Sequence, residues 1–216
     1  MEIDGAVLKA AMACAARPSK KWPHFWATMS RLAPRDAKTS VLEATNGVVL
    51  IRLVLQHPQE REAFLPHEVL SRVKSADVVT IEGRELRIEE SGLHVDLRDE
   101  PAPALADAKG KQLRVWPDFD AHIPKGRRAA ANLIGLSAGV MGAIVRAARL
   151  LSSAKDPLIL RMEAGGPAEP VKLSGRSSYG EVLFVVMPVS LIPDEPKPPK
   201  KGDAVDGKTA AAGKDG

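Results

Sequence analysis

The chain of 216 residues sets 31 Lys and Arg against 27 Asp and Glu, a formal +4, and holds 44% hydrophobic but only 4% aromatic residues, so it can bury a sizeable core that has to be aliphatic. Its one cysteine, Cys14, excludes a disulfide framework and a multi-thiolate metal site, and suits a reducing compartment. No apolar run approaches the ~20 residues that span a bilayer, and the opening Met-Glu-Ile-Asp does not read as a signal peptide, so the expectation is a soluble cytoplasmic protein with no membrane partner.

Residues 4–16 place Val7, Leu8, Ala11, Met12 and Ala15 on one helical stripe, with Asp4 as N-cap and Arg17-Pro18 as the stop. An amphipathic helix packed by one face is expected, with Cys14 at the edge of the stripe. Residues 40–55 are rich in β-branched and aliphatic side chains and are interrupted by Asn46-Gly47, a dipeptide suited to a tight turn. They read as two antiparallel strands. Residues 66–75 predict a short helix with Pro66 at its first position and Val69, Leu70 and Val73 buried. Residues 78–97 alternate apolar and polar side chains around Gly83-Arg84 and Ser91-Gly92, which predicts a half-buried meander of three strands.

A soft stretch at 99–111 reads as a surface loop, and residues 124–131, with Lys125, Arg127 and Arg128, read as a linker. Residues 137–153 predict a helix capped by Ser137. It buries Val140, Met141, Ile144, Val145, Ala148 and Leu151, and Arg146 and Arg149 share its opposite face. A last meander follows, with a turn at Gly165-Gly166. The chain thus repeats a unit of one helix followed by strands, beginning near residues 4, 66 and 137. Residues 194–216 hold no large apolar side chain beyond Val205, and a disordered tail is expected. Its five Lys (197, 200, 201, 208, 214) cancel its five acids (194, 195, 203, 206, 215), so the +4 belongs to the folded part.

Five features, in order, resemble the bacterial sliding clamp, the beta subunit of DNA polymerase III. They are Lys20-Lys21-Trp22-Pro23 after the first helix; Glu43-Ala44-Thr45-Asn46-Gly47, similar to the family's Ala-Thr-Asp-Gly turn; Phe64-Leu65-Pro66 opening the second helix; Trp116-Pro117-Asp118-Phe119 with Ile123-Pro124-Lys125; and residues 184–191, similar to the family's closing Tyr-Val-Val-Met-Pro-Met-Arg-Leu. The resemblance implies an α+β protein of DNA-clamp fold, with helix-plus-antiparallel-meander units and the helices on one face of the sheets. It also implies a homo-oligomeric ring whose helices face duplex DNA, with Lys and Arg attracting phosphates without reading bases. The candidates are Lys9, Arg17, Lys20, Lys21, Arg72, Lys74, Arg146 and Arg149, residue types that equally suit the solvated faces of amphipathic helices.

The resemblance further implies a pocket that docks short linear motifs of a DNA polymerase and a clamp loader. The matching positions are Pro124, Val186, Met187, Pro188, Val189 and Leu191, and methionine suits a surface that repacks for several partners. A buried edge strand is the other reading of this segment, and Pro188 favours an edge. Ser190 stands where the family has Arg, a departure that touches any polar contact that Arg would make to a bound peptide. Residues 1–125 are expected to form one complete clamp domain and 126–193 half of another, so the chain is short by one helix unit. Either a partner chain supplies it, the subunits close differently, or the protein binds replication partners without encircling DNA.

Enzymatic and cofactor chemistry is not expected. The five His (24, 57, 67, 94, 122) lack metal spacing, and no phosphate-binding glycine loop or nucleophile elbow occurs. Asp118, Asp120 and His122 alternate, which on a strand places them on one solvated face.

Overall fold

The computed structural model describes residues 1–17, 25–97, 116–121, 123, 136–164 and 169–188. The expected loop at 99–111, linker at 124–131, turn at Gly165-Gly166 and tail at 194–216 lie outside them.

The first unit is β1 (Glu2–Asp4), α1 (Gly5–Cys14), β2 (Met29–Pro34), β3 (Ser40–Thr45) and β4 (Val49–Leu55). The second is β5 (Ala63–Pro66), α2 (His67–Arg72), β6 (Val78–Glu82), β7 (Glu85–Ile88) and β8 (Leu93–Asp96). The third is α3 (Ala138–Leu150), β9 (Arg161–Glu163), β10 (Val171–Ser177) and β11 (Gly180–Val186). The strands form two antiparallel sheets, one in the order β1-β6-β7-β8 and one in the order β5-β2-β3-β4-β11-β10-β9. The first two units therefore exchange strands: β1 lies on β6 of unit two, and β5 lies on β2 of unit one. The third unit joins by another route, last strand to last strand, as β11 runs along β4 from Gly180↔Leu55 to Val186↔Val49.

Local chemistry explains the turns and caps. Between β3 and β4, Asn46 Oδ1 accepts from the amides of Val48 and Val49 at 3.0 and 2.9 Å, and Gly47 takes φ 87°, a conformation that side chains with a Cβ resist. Ser137 caps α3 by accepting from the Val140 amide at 3.3 Å. Gly5 opens α1 against the turn after α2, where its amide donates to the Asp77 carbonyl at 2.7 Å. A Cβ at Gly5 would stand 2.0 Å from the Lys74 carbonyl oxygen, so only glycine allows this approach.

The main core lies between the helices and both sheets and joins Val7, Leu8, Leu70, Ile81, Ile144 and Phe184. A second cluster covers the other face of the large sheet, where Trp116 and Phe119 lie over Met29, Leu50, Phe64 and Val185. The two expected strands at 40–55, the meander at 78–97 and the capped helix near 138 are all present.

Six expectations are corrected. α1 is not packed by one face only: Ala6, Val7, Leu8, Ala10, Ala11 and Cys14 are all buried, because α2 and α3 flank it while the sheets close it from below. Cys14 is thus interior rather than at an edge. Pro66 ends β5 and caps α2 instead of occupying its first turn. Met141 and Val145, expected in the core, are exposed. Asp118 and Asp120 sit in a turn, where Asp118 Oδ1 accepts from the Asp120 amide at 3.0 Å, and not on a strand. The segment ending at Val186 is an interior strand between β4 and β10, and it stops before Pro188, which therefore breaks no ladder.

Candidate nucleic-acid interface

The three helices border a groove of about 1010 Å³. α1 contributes Lys9, Met12 and Ala13, α2 contributes His67 and Ser71, and α3 contributes Ala143, Arg146, Arg149 and Leu150, with Arg17 and Asn46 nearby. Of the eight basic candidates, Lys9, Arg17, Arg146 and Arg149 meet here. Arg72 and Lys74 are exposed at the end of α2 and outside the lining, and Lys20 and Lys21 lie outside the described residues. None of the lining residues is acidic.

The half-buried Lys9 reaches across from α1, and its Nζ donates to the Ser71 carbonyl at 3.1 Å. Burial holds its pKa below the ordinary lysine value, and Asp77 pulls the other way. His67 is held below the ordinary histidine value by burial first and then by the charges of Arg17 and Lys9, against a smaller opposing effect of Glu68. Its Nδ1 is buried with no hydrogen-bond partner among the described residues. His67, Asn46 and Ser71 are groove residues that sequence reasoning did not single out. Their signal was positional, since each lies at a helix or a turn that frames the groove.

The outer face of the large sheet makes a useful contrast. Its open groove, of about 1030 Å³, also holds cations, among them Arg31, Arg35, Arg52, Arg161, Lys172 and Arg176. There, however, acids pair with three of them. Arg52 pairs with Glu43 at 2.6 Å and with Asp120 at 2.5 Å, Arg31 pairs with Glu43 at 3.2 Å, and Lys172 pairs with Glu163 at 3.4 Å. The groove between the helices brings Lys9, Arg17, Arg146 and Arg149 together with no acid among its lining residues, an arrangement that attracts a polyanion.

The candidate peptide pocket is placed in part. Val186 is buried in the main core, Met187 is 45% exposed beside the exposed Val48, and Pro188 is half-buried. The Met187 amide donates to the Val48 carbonyl at 3.1 Å, which holds this corner to the β3–β4 turn. Pro124, Val189 and Leu191 lie outside the described residues. Among the described residues no helix is long and apolar enough to cross a membrane.

No family model matches the sequence, and no curated protein matches it. Solved structures do. A sliding clamp (DNA polymerase III subunit beta) from Pseudomonas aeruginosa matches with a TM-score of 0.54 and 11% identity over 88% of this chain and 65% of its own. The beta subunit of DNA polymerase III from Thermotoga maritima matches with a TM-score of 0.53 and 12% identity over 89% of this chain and 65% of its own. The sliding clamp from Bartonella birtlesii gives 0.54 and 12% over 87% of this chain and 65% of its own. The chain spans about 65% of the length of these structures. At such identity the likeness is one of fold, and the fold of this α+β chain is that of the DNA sliding clamps in a shortened form.

Proposed function

We propose that this chain is a non-enzymatic, clamp-like processivity factor in DNA replication: a homo-oligomer that holds duplex DNA without sequence preference and tethers a DNA polymerase to it. The observation that carries this reading is the acid-free groove between the helices, where Lys9, Arg17, Arg146 and Arg149 converge. Phosphate contact through such side chains is independent of base sequence, which lets a bound protein slide. Lys20, Lys21, Arg72 and Lys74 add to the same basic face in this reading. Polymerase and clamp loader dock by short motifs at Pro124, Val186, Met187, Pro188, Val189 and Leu191, with the exposed Met187 as anchor. Residues 1–125 act as one complete clamp domain and 126–193 as half of a second.

Exchanging Arg146 and Arg149 together for Glu tests the groove. Retention on nicked circular duplex DNA should fall, and the slope of log affinity against log salt should shrink by about two, roughly one per lost phosphate contact. An unchanged slope in a folded double variant rejects the groove as the DNA face.

A second reading, a clamp-derived protein that binds replication partners without encircling DNA, is favoured by β8 and β9, which end their sheets among the described residues. Equal retention on linear duplexes with free ends and on circular duplexes, with no sliding off the ends, would support it.

A further inference from the structure

Two kinds of junction between units occur within this chain. In the exchange junction of units one and two, first strands cross reciprocally and α1 packs on α2. In the junction of units one and three, the last strands β4 and β11 pair antiparallel and α1 packs on α3. Both are locally two-fold. Among the described residues the sheets end at β1, β8, β5 and β9, and of these β8, the last strand of unit two, and β9, the first meander strand of unit three, stand where a further unit would join. These two edges are of different kinds, so a head-to-tail contact of β8 with β9 would reproduce neither junction. Joining like edge to like edge repeats the local two-fold of the junctions within the chain and makes an isologous contact.

The side of unit three that an exchange junction would cover is apolar and bare. Met162 on β9 lies opposite Leu173 of β10, a core residue, and cross-strand partners share a face. Met162 therefore points to the helix side, yet it is 57% exposed. Its counterparts on β6, Val79 and Ile81, are fully buried beneath the exchanged β1. On α3, Val140, Ile144 and Ala147 face the core and Ala143 and Arg146 face the groove beside α1. At 3.6 residues per turn, Met141 and Val145 then fall on the opposite flank, and they are 39% and 40% exposed. Met141, Val145 and Met162 carry no charge, so two such flanks do not repel.

We infer that a second copy of this chain docks on the α3–β9 side about a two-fold axis, unit three against unit three. This deepens the homo-oligomer of the proposed function by assigning its interface and its symmetry. The two copies then place their α3 helices side by side and extend the basic groove across both.

Sedimentation of the full chain at micromolar concentration should give a dimer. Met162→Glu and Val145→Glu should each weaken it by about tenfold or more while leaving the far-ultraviolet circular dichroism unchanged. Asp96→Lys on β8 should leave the dimer intact. Val145→Cys provides an independent measurement, because in a two-fold contact a bismaleimide joins this position to its own equivalent, and the buried Cys14 does not compete. A monomer overturns both the homo-oligomer and this interface. A dimer dispersed by Asp96→Lys but not by Met162→Glu, or one without cross-linking at position 145, overturns the interface alone.

Discussion

The indole Nε1 of Trp116 donates to Oε2 of Glu43 across 3.2 Å, although 73 residues separate them in the chain. The same carboxylate receives Arg31 at 3.2 Å and Arg52 at 2.6 Å and is almost wholly buried. Trp116 in turn packs on Phe64 and Phe119, with ring centroids 5.8 and 5.6 Å away. Glu43 is thus the anchor through which the 116–121 segment is fastened over the outer face of the large sheet. Removing one partner of a buried charge cluster strands the others, so Glu43→Ala should cost about 3 kcal/mol in denaturant unfolding. Trp116→Phe keeps the ring packing and loses one hydrogen bond, so it should cost about 1 kcal/mol. Equal losses in the two variants would show that Glu43 is not the hub.

His67 predicts how stability varies with pH. Burial, Arg17 and Lys9 lower its pKa in the folded state, so the unfolded chain binds the proton more readily. Its contribution is fully present above the unfolded histidine value of about 6.5 and is lost as pH falls below that value through the folded pKa. His67→Gln should flatten the acid limb of stability below about pH 6.5. Duplex DNA in the groove should act in the opposite direction, because phosphates offset Lys9 and Arg17. A histidine titration followed by NMR should show the His67 pKa rising on DNA addition, and no movement would place the phosphates elsewhere.

Much of this architecture was legible in the sequence wherever one side of an element faces water. The 78–97 meander alternates within each of its strands, and Asn46-Gly47 announces its turn. The misreadings arise where tertiary context overrides periodicity. α1 is rich in alanine and so accepts neighbours on nearly every side, which a one-face stripe does not express. Met141 and Val145 fit a core stripe by spacing, yet their flank of α3 is left exposed. β1 and β5, with three and four residues, are too short for a periodic signal and exist because another unit's meander receives them. The groove was half legible. Its arginines were visible as a helix face, whereas His67 and Ser71 became part of it only once α2 was set beside α1.

Met187 offers an apolar, exposed side chain fixed at its backbone to Val48. If it anchors partner motifs, Met187→Ala together with Leu191→Ala should weaken binding of a polymerase-derived peptide by about tenfold or more, as loss of an apolar hot spot does. Because Met187 lies beyond the end of β11, the unfolding midpoint should hardly move. Fluorescence anisotropy with a labelled peptide measures the first effect and thermal unfolding the second. Unchanged affinity in the folded double variant rejects the pocket.

Cys14 tests the packing of α1 between its neighbours. Its thiol is fully buried, and burial pushes its pKa up to about 12, against a small opposing pull from Arg146. The thiolate is the reactive form, so the native protein should resist Ellman's reagent at pH 8 and react only when it opens. Cys14→Ser sets a hydroxyl in the same apolar site and should lower stability by about 1–3 kcal/mol. The rate of thiol labelling in mild denaturant then reports the opening of α1. It should follow global unfolding, because Cys14 is fully buried in the main core between the helices and the sheets. Rapid labelling of the folded protein would mean that α1 detaches from α3 on its own.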